Sequence, residues 1–66
     1  MQDLAGFLAD ARDYARRGAG YVRDIDAAAF ASDQMRKDAV FFCLVIVGEA
    51  CSEAAKQLRE LPAEIP

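Results

Sequence analysis

From Ala39 to Val47 nine consecutive residues are apolar (AVFFCLVIV), and from Gly48 onward charge returns at intervals as far as Glu60. No other feature restricts the fold as much. Nine residues are too few to cross a bilayer, which takes about 20. They are too many for an ordinary amphipathic helix, because a helix that is apolar all round must be covered on every side. The chain has only 66 residues with which to cover it. At that size a single core is marginal, and association, metals or disulfides commonly help.

Two of those aids are excluded. Cys43 and Cys51 stand eight apart. On one helix that spacing separates their Cα atoms by about 12 Å, against the roughly 4.4–6.8 Å a disulfide requires. Both therefore read as buried, reduced thiols, as in a cytoplasmic protein. The chain contains no histidine, which excludes zinc sites built from Cys and His and also the Glu-x-x-His motifs of carboxylate-bridged metal bundles. No metal and no other cofactor is expected. The opening MQDLAGFLADAR brings acid early and lacks a basic stretch followed by an apolar core, so it is not a secretory signal. With no membrane span and no signal, a cytoplasmic location is expected.

A net charge of −3 gives no general attraction to nucleic acid. Locally, Arg12, Arg16 and Arg23 fall four and seven apart and line one flank of a helix, with Arg17 beside them. They fit either a solvated face, with Asp13 and Arg17 as an i,i+4 pair, or an RNA-contacting stripe.

The pattern is helical throughout. Leu4, Leu8, Ala11, Ala15, Gly18, Val22 and Ile25 alternate in steps of four and three, one apolar stripe whose phase survives RRGAGYV. Gly18 and Gly20 each cost about 1 kcal/mol in a helix interior, but a loop would have to preserve the phase by accident. The spacing predicts one helix over 2–24, with Gly18 permitting close approach of a neighbour. Asp26 is a good N-cap for a short turn at 27–31 anchored by Phe30, and Ser32 or Asp33 can cap a second long helix over 34–60, which Pro62 ends. Val40, Leu44, Val47, Cys51, Ala54, Leu58 and Leu61 form its stripe, packing antiparallel on the first helix. Phe41, Phe42, Val45 and Ile46 then form an apolar arc that one neighbour leaves uncovered. A second subunit, or further chain beyond LPAEIP, is expected to cover it, and a homodimer is the expected assembly.

The run from Ile25 to Pro66 resembles the HepT-like family of the HEPN superfamily. The matching features are Phe30–Asp33, KDAV at Lys37–Val40, VGEA at Val47–Ala50 and LPAEIP at Leu61–Pro66, in family order over about residues 8–66. The resemblance implies an all-α fold, a four- or five-helix bundle that dimerises, of which 1–66 is the N-terminal portion of a single domain. It implies the ribonuclease toxin of a toxin–antitoxin pair, an MntA-like nucleotidyltransferase antitoxin as partner, and RNA as substrate of the full-length protein only. The family's catalytic Arg-x-x-x-x-His-x-Tyr motif is absent, so no catalytic residue is expected in this chain and it should be inert alone. Histidine is the group able to exchange a proton with a ribose hydroxyl near neutral pH.

Glu49 and Asp38 are the acids to weigh as cleft-lining residues. Glu49 interrupts an apolar region and either faces the dimer cleft, where it would orient the family's catalytic Arg and His, or begins an exposed face shared with Glu53, Lys56 and Glu60. Asp38, near a helix N-terminus, is favoured there by the macrodipole in any case. The competing functional class is a helical hairpin that dimerises or holds a partner protein without chemistry of its own. The coding sequence past residue 66 separates the two: an open frame carrying a tryptophan and then the Arg-x-x-x-x-His-x-Tyr motif points to the toxin, and a stop to the interaction module.

Overall fold

A computed structural model describes residues 2–61. Three helices follow in order: α1 (Leu4–Val22), α2 (Ala27–Ala31) and α3 (Gln34–Arg59). Among the described residues there is no strand. All three helices begin on an aspartate whose side chain accepts from a backbone N–H of the first turn: Asp3 from Gly6 at 2.8 Å, Asp26 from Ala29 at 2.8 Å and Asp33 from Arg36 at 3.0 Å. Such caps satisfy amides that the helix leaves without partners. Of the two residues considered for the third cap, Asp33 serves. Ser32 closes α2 instead, its hydroxyl donating to the Ala28 carbonyl at 3.2 Å. Pro62, read from sequence as the stop of the last helix, lies outside the described residues.

The helix runs unbroken through Gly18 and Gly20, as the phase of the stripe required. A methyl group built at Gly18 would sit 3.4 Å from Cβ of Cys43, whereas one at Gly20 would meet nothing within 4 Å. Gly18 is thus where the two long helices come close. Their antiparallel register is pinned at both ends. Gln57 Nε2 donates to the Gln2 carbonyl at 3.3 Å, and an Arg36 guanidinium nitrogen donates to the Tyr21 carbonyl at 3.3 Å.

The packing face overlaps the stripes read in sequence in part: Ala54 is buried and Leu4, Ala11, Gly18, Val40 and Val47 are half-buried, but other stripe residues are exposed. Among the described residues only Cys43, Ala50 and Ala54 are fully buried, while Leu44 and Leu58 are 62% and 54% exposed and Cys51 is exposed. On a helical wheel the observed face of α3 is turned by about 75° from the Val40–Leu44–Cys51–Leu58 line. On α1, Phe7 and Tyr14 are half-buried, and Leu8 and Ala15 are exposed in their stead. The physical reason is size. Cys43, Ala50 and Ala54 opposite Gly18 let the helix axes approach, and close backbone packing gains more dispersion contact than a ridge of leucines holding the axes apart. The reading of both cysteines as buried holds for Cys43 and fails for Cys51, because the contact face passes through Ala50.

The product is a rod of 50 × 18 × 17 Å with a radius of gyration of 15.5 Å. A compact chain of this length would have about 11 Å. Two helices side by side bury only their small residues, and most large apolar side chains stay at the surface.

Candidate functional site

Of the arc on α3, Phe41 is 68% exposed, Phe42 54% and Val45 39%, and Leu44 joins them. Ile46 is half-buried. The four arc residues are not equivalent. Phe42 meets Tyr14 of α1 edge-on, with ring centroids 6.1 Å apart and planes at 70°, so it belongs partly to the hairpin's own packing. Phe41, Leu44 and Val45 have no such cover. Gly48 lies on their side of the helix, exposed, and a methyl group there would touch nothing within 4 Å. A glycine in mid-helix costs about 1 kcal/mol relative to alanine, and no contact among the described residues calls for it.

Beside the arc, an open groove of about 690 Å³ runs along α3 and the first half of α1, and is lined in part by Phe7, Asp10, Val45, Ile46, Glu49 and Glu53. Three carboxylates therefore edge one groove, with no lysine or arginine in its lining. Asp10 accepts from Gln2 Nε2 at 2.8 Å. Among the described residues neither Glu49 nor Glu53 has an ion-pair partner. Sequence reasoning singled out Glu49 and missed Asp10, which reaches the groove only because α1 folds back antiparallel. No periodicity within either helix signals that proximity.

Asp38 is placed differently. It lies on the Glu49 face of α3 but three turns earlier, about 16 Å along the axis. It is exposed and accepts from Gln34 Nε2 at 2.7 Å, an i,i+4 contact of the first turns. Its surroundings are those of a helix N-terminus. Among the described residues no three His, Cys, Asp or Glu side chains converge as a metal site, and no helix is long and apolar enough to cross a membrane.

Comparison with known proteins resolves what two helices and a groove leave open. Residues 11–64 match the family described as ribonuclease HepT-like. The chain belongs to the HepT-like ribonuclease family. A candidate RNase of Methanocaldococcus jannaschii is 32% identical over 65 residues, covering 98% of this chain and 56% of that protein. The chain thus spans about half the length of the curated relative it matches. No solved structure matches significantly. Within the family frame, VGEA at Val47–Ala50 acquires a structural meaning. Val47 and Ala50 face α1, Gly48 stands on the uncovered side, and Glu49 edges the groove.

Proposed function

We propose that this HepT-like chain supplies the dimerising helical pair of an RNA-cleaving toxin whose antitoxin is an MntA-like nucleotidyltransferase, and that α3 lies at the two-fold interface. The observation that carries the assembly is the uncovered face of Phe41, Leu44 and Val45 around Gly48 on a hairpin with only three fully buried residues among those described. Burying a Phe, Leu or Val contributes about 1.5–3 kcal/mol, and Gly48 removes the side chain that would hold a second helix away. In this arrangement Glu49, with Asp10 and Glu53, offers carboxylates to the cationic groups of a catalytic cleft and orients them. Asp38 does not take part.

The chemistry itself lies outside this chain, which has no histidine. The chain alone is expected to leave RNA intact, whereas a version extended through an Arg-x-x-x-x-His-x-Tyr motif cleaves RNA and arrests growth when expressed without its antitoxin. A gel-based cleavage assay on both, at equal molarity, checks this. Cleavage by the short chain at a rate comparable with the extended one would remove the basis for placing catalysis on a later helix. Glu49→Gln in the extended protein is expected to lower kcat with little change in folding. An unchanged kcat would return Glu49 to the solvated face.

A further inference from the structure

The arginines of α1 have a different setting from the one their spacing suggested. Asp13 does not pair with Arg17. It takes Nε of Arg12 at 3.0 Å, while the Arg17 guanidinium lies 4.5 Å over the Tyr14 ring. Arg17 is thereby drawn to the α3 side, and Arg12, Arg16 and Arg23 remain on the outer flank of α1, all exposed. Among the described residues Arg16 and Arg23 have no carboxylate within ion-pair distance, and Arg12 engages only its Nε. The three fall within about 40° of one another on the helical wheel and extend over about 16 Å of the axis. Ala5, Ala9 and Ala19 occupy the rest of the stripe, so nothing bulky stands between the guanidinium groups; the acids nearest in sequence are Asp13, which borders the stripe and pairs with Arg12, and Asp24, just past the end of α1. Of the groove's carboxylates, Asp10 lies on α1 but about 140° round the helix from the stripe, and Glu49 and Glu53 are on α3.

We propose that Arg12, Arg16 and Arg23 form a phosphate-binding stripe that holds single-stranded RNA along the outer face of α1, away from the acidic groove and the α3 interface. The inference rests on the ribonuclease reading above, which makes RNA the polyanion present. A guanidinium suits the task because it presents forked donors to phosphate oxygens and stays charged at any relevant pH. No aromatic ring lies on the stripe, so bases have nothing to stack on, and binding is to the backbone and indifferent to sequence.

The test is fluorescence anisotropy of this chain with labelled oligo(U) and oligo(A) of equal length, across about 50–200 mM salt. Circular dichroism confirms the helix content of each variant. Removing three phosphate contacts is expected to weaken binding by about tenfold and to reduce the salt slope by about 2, at roughly 0.7 per contact on a single strand. The triple variant is Arg12→Gln, Arg16→Gln, Arg23→Gln. Because Arg12 also pairs with Asp13, the pair Arg16→Gln, Arg23→Gln, which breaks no contact, is measured beside it and is expected to lower the slope by about 1.4. The pair Lys56→Gln, Arg59→Gln removes the same charge from the end of α3 and is expected to change affinity less than twofold. No binding by the parent chain, an equal loss in the two pairs, or a clear preference between the two oligonucleotides would overturn the stripe. The ribonuclease reading fails separately: an extended protein that retains stripe-dependent binding yet never cleaves would sink that reading and leave the stripe standing.

Discussion

Sedimentation of a Phe41→Glu, Val45→Glu variant is expected to show a monomer at tens of micromolar, and that of the parent chain a dimer. These two positions make the cleaner test because neither makes the ring contact to α1 that Phe42 makes with Tyr14, and both are more exposed than the half-buried Ile46. Each substitution replaces a side chain whose burial contributes about 1.5–3 kcal/mol with a carboxylate that would be costly to bury. Over two subunits four such sites are lost, against the roughly 8 kcal/mol that a micromolar dissociation constant represents. Helicity should fall when dimerisation is lost, since a hairpin that fully buries only Cys43, Ala50 and Ala54 among its described residues has little core of its own. Phe42→Glu, Ile46→Glu is expected to be the more damaging pair, dissociating the dimer and loosening α1 from α3. A parent chain that remains monomeric and well folded at that concentration would mean the Phe41–Val45 face needs no cover.

A second large effect is expected from one residue type placed at two glycines of the same helix. Gly18→Leu puts a branched side chain where Cβ alone already stands 3.4 Å from Cys43, so the helices must separate or the leucine must leave its rotamer. Overpacking of this kind costs about 1–3 kcal/mol, more than the roughly 1 kcal/mol gained from helix propensity. At Gly20 a Cβ meets nothing within 4 Å, so Gly20→Leu is expected to keep the gain. Thermal unfolding followed by circular dichroism, at one fixed chain concentration, should therefore move in opposite directions for the two variants. On a domain this small, 1 kcal/mol corresponds to about 4–8 °C in Tm. Equal shifts would show that α1 does not approach α3 at Gly18.

Period and punctuation in the sequence suffice for the elements of this protein. The four-and-three spacing through RRGAGYV determined one helix rather than two, and Asp26 and Asp33 marked where the short turn and α3 begin. The third cap, Asp3, carried the same signal and moves the start of α1 from residue 2 to Leu4. The family was legible too, because KDAV, VGEA and LPAEIP hold a fixed order along the chain, and the family match over residues 11–64 agrees with it.

Which face of each helix is buried was decided only by tertiary structure. An apolar run such as Ala39–Val47 offers several nearly equivalent faces to a neighbour, and hydrophobicity alone ranks Leu44 above Cys43. Axis separation ranks them the other way, because the small residues Gly18, Cys43, Ala50 and Ala54 let the backbones approach. That choice turned Leu44 and Cys51 outward, exposed Gly48, and brought Asp10 to the groove that Glu49 and Glu53 edge. Periodicity within one helix determines that a stripe exists. Where on the wheel the contact falls depends on the partner helix, and that information is shared between segments more than twenty residues apart.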